Sequence, residues 1–139
     1  MTATERASRS EQICDRIAAS EAWQRSRVVL LFAPMRTEPD IAALHNVATQ
    51  SGKQVAVIPN TVRLESEIEL PLTPDLVLVP GLAFTKDGRR LGRGGGFYDR
   101  LLAGHLENAW KVGVCFELQL RDEIPQEQHD ALVDIVISG

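Results

Sequence analysis

The sequence predicts an α/β fold: one three-layer domain over residues 1–139, with a mostly parallel sheet and helices on both faces. Three observations lead there. Apolar runs without in–out alternation recur at 28–33 (VVLLFA), 55–58 (VAVI), 76–79 (LVLV), 112–116 (VGVCF) and 132–137 (LVDIVI), as in strands buried on both sides. Segments of helical period lie between several of them. The first two runs are joined by a short helical connection, the right-handed βαβ unit that makes strands parallel. A chain of 139 residues is long enough to bury a real core.

Taken in order, residues 1–8 are polar and read as a frayed end. From Ser10 the spacing of Ile13, Ile17 and Ala18 predicts a helix that ends before Trp23, with Arg9, Glu11, Asp15 and Arg16 for its wet face. Strand 28–33 is closed by Pro34. Thr37-Glu38-Pro39-Asp40 reads as a helix start, with Thr37 as cap, Pro39 in the first turn and Asp40 at the capping-box position. Ile41, Leu44 and Val47 then share one face, and Gly52 is the stop. Strand 55–58 is closed by Pro59. Residues 63–70 partly alternate, as a half-exposed edge strand would. Strand 76–79 runs through Pro80-Gly81 and a polar loop into the glycine-rich stretch. Phe97, Leu101 and Leu102 predict a helix from there to about residue 107, before the last two strands.

Acidic residues outnumber basic ones, 19 against 15. That balance argues against a dedicated nucleic-acid binder, although Arg89, Arg90, Arg93 and Arg100 could form a local patch. The two cysteines, Cys14 and Cys115, stand far apart and suggest neither a disulfide framework nor a metal knuckle; Cys115, within VGVCF, reads as a core filler. No apolar run approaches the ~20 residues of a membrane span, and no signal core precedes the domain. A cytoplasmic protein without a membrane partner is the expectation.

The chemistry concentrates in Arg90-Leu91-Gly92-Arg93-Gly94-Gly95-Gly96-Phe97-Tyr98-Asp99. This stretch has neither the G-x-G-x-x-G of dinucleotide folds nor the Lys-Ser/Thr of a P-loop. Its glycines still permit close backbone approach and positive φ. Arg90 and Arg93 can fork onto phosphate oxygens, and a helix start adds its dipole. Asp99, among so many anion-binding groups, makes sense where a cation shares the site, and an acid beside a polyphosphate is a natural Mg²⁺ ligand. The competing reading is a flexible surface turn with Asp99 as a first-turn helix acid. Tyr98 either stacks on a ligand ring or packs in the core.

The run PGLAFTKDGRRLGRGGGFYDRLL resembles the signature of the 5-formyltetrahydrofolate cyclo-ligase (methenyltetrahydrofolate synthetase) family, in which proline-glycine, an apolar-aromatic pair and a polar loop precede R-L-G-x-G-x-G-[YF]-Y-D. The stretches MRTEPDI, SGKQVAVIP and VGVCFELQLRDEIPQEQHDALVDIVISG are similar to it as well. The resemblance implies that Arg90, Leu91, Gly92, Arg93, Gly94, Gly95, Gly96, Phe97 and Tyr98 line the phosphates of ATP. It implies that Asp99 and Asp130 hold Mg²⁺ and that Glu38 contacts the folate. The implied reaction is ATP-dependent closure of 5-formyltetrahydrofolate to 5,10-methenyltetrahydrofolate through a phosphorylated formyl group; such chemistry asks mainly for positioning and charge stabilisation. Apart from the resemblance, Glu38 has the reading of a first-turn helix acid, Asp130 that of a polar turn residue, and Asp134 that of a side chain facing away from Val133 and Ile135.

The chain departs from the family pattern twice. Family members carry a lysine on an N-terminal basic helix that touches ATP, whereas Arg6 and Arg9 are the only basic residues in the first twelve here. The family segment between the second strand and the signature is longer and often holds a G-I-x-E-P turn, which is absent. Two functions follow: a compact working cyclo-ligase, or a non-catalytic nucleotide-binding regulatory domain of the same descent.

Overall fold

The computed structural model of the chain describes residues 1–61, 73–125 and 131–139. Its elements in chain order are α1 (Ala3–Ala19), α2 (Glu21–Arg25), β1 (Val28–Phe32), α3 (Ala43–Gln50), β2 (Gln54–Ile58), β3 (Leu76–Val79), β4 (Ala83–Phe84), β5 (Arg90–Leu91), α4 (Phe97–Ala103), β6 (Trp110–Cys115) and β7 (Ile135–Ser138). Five strands form one sheet in the order β2-β1-β3-β6-β7, every pairing parallel. The strand pleat sends alternate residues to opposite layers. Val29, Leu31, Leu76, Leu78, Val112 and Val114 pack with Ile13, Ile17, Trp23, Ile41 and Leu44 from α1, α2 and the α3 region. Leu30, Val77, Val79 and Cys115 face the other way, onto Phe84, Leu101, Leu102 and Leu106. The predicted three layers and parallel sheet are present.

Several boundaries differ, each for a local reason. Helix α1 starts at Ala3 rather than Ser10 and leaves no frayed octapeptide, because Thr2 caps it by accepting the Glu5 N–H at 3.0 Å. It ends at Ala19, and Ser20 caps the short α2, which buries Trp23. Helix α3 starts at Ala43, not at Thr37. Residues 35–38 instead close a tight turn through the Glu38 N–H to the Met35 carbonyl (3.0 Å), and the Asp40 carboxylate accepts the Ala42 N–H just before the helix. The helix buries Leu44 and Ala48, joined by Ile41 just before it, while Val47 faces solvent.

Strand β2 is the sheet edge rather than a doubly buried strand, and Val57 is 43% exposed. Helix α4 stops at Ala103, and turns closed by Leu106 N–H to Leu101 O and Ala109 N–H to Leu106 O finish the connection. Strand β7 begins only at Ile135, since the Asp134 carboxylate accepts the Lys111 N–H at 2.8 Å. Asp75 treats Arg27 and Val28 the same way. The expected edge strand at 63–70 lies outside the described residues.

The loop expected after Gly81 is a small antiparallel hairpin, β4 with β5. Its two-residue strands are too short to alternate visibly. Phe84 from this hairpin is fully buried, and a Cβ at Gly113 would come within 2.5 Å of its ring. The glycine inside VGVCF therefore marks a close approach rather than a weak strand. Cys115 is buried as expected, and burial pushes its thiol up to about 12.

Candidate functional site

The sheet order locates the site before any side chain is considered. The chain steps outward from β1 to β2, then returns to the other side of β1 to form β3. In open parallel sheets the crevice beyond the strand ends at such a reversal is where ligands bind. Here β1, β2 and β3 run out into Ala33-Pro34, Pro59 and Pro80-Gly81. A cavity of about 560 Å³ opens at that edge, lined by Phe32, Ala33, Ile58, Pro59, Pro80 and Gly81 together with residues of the glycine stretch. Its size is that of a small-molecule site.

The glycine stretch supplies the cavity's other wall. Gly94, Gly95 and Gly96 have φ of +96°, +78° and +69° in succession, a left-handed turn that other residues adopt only with strain. A Cβ at Gly94 or Gly95 would meet no atom within 4 Å. These glycines are needed for backbone conformation, and they leave the main chain open to an approaching group. The Arg100 guanidinium donates to the Gly95 carbonyl and staples the turn to α4.

Two arginines that look equivalent in the sequence occupy different surroundings. The Arg90 side chain is only 6% exposed. Its Nε donates to the Pro80 carbonyl at 2.7 Å, Nη1 lies 3.7 Å from Asp99 Oδ1, and the guanidinium carbon sits 5.1 Å from the Tyr98 ring centroid. The Arg93 side chain is 40% exposed and crosses the cavity. It donates to Thr37 Oγ1 at 3.0 Å and lies 3.5 Å from Glu38 Oε2. Arg89 pairs with Asp87 at the hairpin turn, so the four arginines of this region do not form one patch.

Glu38 is 4% exposed, in the 35–38 turn rather than in a helix. Its Oε1 accepts the Met35 N–H at 2.8 Å while Oε2 faces Arg93, so the first-turn helix reading of this acid does not apply. Among the described residues, Asp99 uses Oδ1 for both of its polar side-chain contacts, Arg90 and the Ala131 N–H at 3.3 Å. A carboxylate held by one oxygen, at the cavity wall and partly open to solvent, fits a hard cation through Oδ2. Asp130 lies outside the described residues. Among those described, no three His, Cys, Asp or Glu side chains converge as a metal cluster.

Tyr98 packs edge-to-face on Phe97 with centroids 5.1 Å apart. Burial pushes its phenol well above the ordinary value of 10, the Arg90 charge pulls it partly back, and Glu38 adds to the rise. Of the residues expected at the site, Glu38, Arg90, Leu91, Gly92, Arg93, Gly94, Gly96, Phe97, Tyr98 and Asp99 line the cavity, and Gly95 stands just outside it. Sequence reasoning missed Phe32, Met35, Asn60, Pro80 and Pro125, which line it too. The available signal was the proline that follows each of the first three strands, marking the sheet edge where they end.

Comparison with known proteins bears on the family and the fold. Residues 58–139 match the model of the 5-formyltetrahydrofolate cyclo-ligase family. The 5-formyltetrahydrofolate cyclo-ligase of Mus musculus is 28% identical over 174 aligned positions, spanning 99% of this chain and 85% of that protein. The alignment is longer than the 139-residue chain, so the mouse protein holds residues within it that have no counterpart here. The Mycolicibacterium smegmatis enzyme of the same name is 45% identical over 64 residues, 46% of this chain and 33% of that protein. In fold, the chain matches the 5,10-methenyltetrahydrofolate synthetase of Aquifex aeolicus with a TM-score of 0.82 at 24% identity, over 99% of this chain and 81% of that one. The Mycoplasma pneumoniae synthetase gives 0.79 at 21% identity, over 99% and 88%. No helix among the described residues is long and apolar enough to cross a membrane.

Proposed function

The chain belongs to the 5-formyltetrahydrofolate cyclo-ligase family and is a ligase, and on that premise we propose that it closes 5-formyltetrahydrofolate to 5,10-methenyltetrahydrofolate with consumption of ATP in the cavity at the ends of β1, β2 and β3. One observation carries this reading. The left-handed glycine turn and the buried Glu38 come from distant stretches of the chain, yet they face each other across one cavity and are bridged by Arg93.

The roles divide accordingly. The open main chain of Gly94–Gly96 receives the phosphates, as a concave run of N–H groups does. Arg93 exchanges its contacts to Thr37 and Glu38 for phosphate oxygens, where its fork is best used. Arg90 forms the floor and adds positive charge from beneath. Asp99, with Asp130 as its expected companion, holds Mg²⁺, which when bound draws negative charge off the transferring phosphoryl group. Glu38 presents a buried acceptor to N–H groups of the folate, and Phe97 and Tyr98 give apolar walls.

Transfer of the γ-phosphoryl group to the formyl oxygen breaks its bond to ADP and makes the formyl carbon electrophilic. The N10 lone pair then attacks that carbon, the C–O bond breaks with its electrons leaving on phosphate, and N10 sheds its proton. Orientation is the protein's main contribution, since aligned reacting groups alone are worth about 7–11 kcal/mol of barrier.

Purified protein with ATP, Mg²⁺ and 5-formyltetrahydrofolate is expected to form the methenyl product, followed by its near-ultraviolet absorbance. Absence of product at high enzyme concentration, with MgATP binding retained, would replace this reading with that of a nucleotide-binding regulatory domain. Loss of both would show that the glycine turn does not bind nucleotide.

A further inference from the structure

Helix α1 contacts the site without lining its cavity. Arg6, Ser10 and Cys14 stand four residues apart, one above another on a single helix face. All three bond to the main chain of residues 35–40. Arg6 donates from Nε to the Glu38 carbonyl at 3.0 Å and from Nη2 to the Met35 carbonyl at 3.1 Å. Ser10 Oγ, itself buried, accepts the Asp40 N–H at 2.9 Å. The Cys14 thiol donates to the Asp40 carbonyl at 3.6 Å.

The two carbonyls held by Arg6 are the first and last of the 35–38 turn. That turn is already closed by the Glu38 N–H on Met35 O and by the Met35 N–H on the Glu38 carboxylate. A guanidinium presents its donors in a rigid planar fork, so it fixes the spacing of both carbonyls at once. From this geometry we propose that Arg6 is a positioning residue for Glu38. It makes no contact with the cavity, but it clamps the turn that aims the Glu38 carboxylate into it, with Ser10 holding the next residues in register. Glu38's side chain cannot keep its bond to the Met35 N–H unless that turn stays closed. The consequence for ligands rests on Glu38 being the folate-facing acid.

The test compares Arg6→Ala and Arg6→Lys with the parent chain, alone and in a Glu38→Gln background. Amide hydrogen exchange is expected to quicken by about tenfold or more across residues 35–40 in Arg6→Ala, the scale of a lost charge-assisted bond. Sheet amides and far-ultraviolet circular dichroism are expected to stay unchanged. Affinity for 5-formyltetrahydrofolate falls by roughly tenfold, while that for MgATP moves less than about twofold. Arg6→Lys keeps the charge but not the fork and lies between. In the Glu38→Gln background, Arg6→Ala adds less than about twofold, the signature of acting through Glu38.

Unchanged exchange at 35–40 would overturn the proposal, as would an equal loss of MgATP affinity or effects that multiply with Glu38→Gln. A parent chain that binds no 5-formyltetrahydrofolate would refute the functional reading, and the exchange measurement would still decide the role of Arg6.

Discussion

Arg90 and Arg93 provide the sharpest test of how this site is built, because they stand three residues apart in one motif and are expected to fail differently. Removing Arg90 takes a charged donor from the buried Pro80 carbonyl at 2.7 Å and a cation from Asp99, whose side chain is 18% exposed. A hydrogen bond to a charged group contributes about 1.5–3 kcal/mol. Breaking one side of a buried ion pair costs about 3–5 kcal/mol, and the contact with the Tyr98 ring adds up to ~2 kcal/mol. These effects share atoms and do not add, so the expectation for Arg90→Ala is a loss of about 3–5 kcal/mol.

That is a large share of the ~5–15 kcal/mol that holds a domain together. Arg93→Ala gives up a bond to Thr37 and a pair whose arginine is half-exposed, and the buried Glu38 carboxylate left behind keeps its bond to the Met35 N–H. Its expected cost to stability is smaller than that of Arg90→Ala, about 1–2 kcal/mol, because Glu38 stays partly satisfied, with roughly tenfold weaker MgATP binding. Urea denaturation followed by tryptophan fluorescence, to which the buried Trp23 and the exposed Trp110 contribute, measures the first quantity, and titration with MgATP the second. Asp99→Leu in the Arg90→Ala chain is expected to recover part of the stability, since the acid left behind is part of the cost. Equal destabilisation by the two arginine variants, or a loss below about 1 kcal/mol for Arg90→Ala, would refute the assignment of Arg90 to the floor and Arg93 to the ligand.

Gly95→Ala is expected to cost about 1–2 kcal/mol from its left-handed backbone alone, whereas Gly113→Ala costs about 1–3 kcal/mol through its clash with Phe84. Phe84→Leu should therefore ease the second variant and not the first, as thermal melts of the four chains would register. Tyr98 is the only tyrosine, so tyrosinate absorbance reports on it alone; no ionisation is expected near pH 10 until the chain unfolds, and a normal titration there would refute its burial. The thiols of Cys14 and Cys115 are raised from 9.0 to about 11 and about 12, in both cases chiefly by burial. Below pH 9 folded and unfolded chains both keep these protons and the contribution is complete. Above it the unfolded chain releases them first, so stability falls as pH climbs toward 11 and 12. Replacing both cysteines with alanine should flatten that alkaline decline, and an unchanged slope would place its cause elsewhere.

The parallel sheet was legible because its signal is redundant: five apolar runs, each long enough to be buried on two faces, with helical spacing between several of them. What misled was the behaviour of single polar residues. Thr37-Glu38-Pro39-Asp40 carries the composition of a helix start, but Glu38 bonds the Met35 N–H and folds the segment into a turn, so α3 begins five residues after Glu38. Val57 has the same composition as a core residue and is exposed because β2 happens to be the sheet edge. Edge or centre is decided by pairing order, which a strand's own residues do not encode. The hairpin of β4 and β5 escaped for want of length, as two residues cannot display a period.

Around the cavity, residues announced by unusual composition were legible in the sequence, and residues that act through main-chain groups were not. Glycines in a row and an acid at their end are conspicuous in any sequence. A carbonyl at Pro80 or Met35 is not, since every residue has one, and its use depends on which guanidinium the fold brings within hydrogen-bond reach. Arg90 and Arg93 differ for this reason alone: one is turned inward to Pro80 and Asp99, the other outward to Thr37 and Glu38. The same logic changes the standing of the first helix. A helix whose first residues read as a frayed end holds Arg6 and Ser10 against residues 35–40, and through them bears on Glu38. The cavity is thus shaped from two sides, by a glycine turn whose backbone only glycine adopts without strain and by a turn whose closure depends on a helix that never lines the cavity. Substitutions in α1 should therefore be read first through the geometry of residue 38, and only then as changes in helix stability.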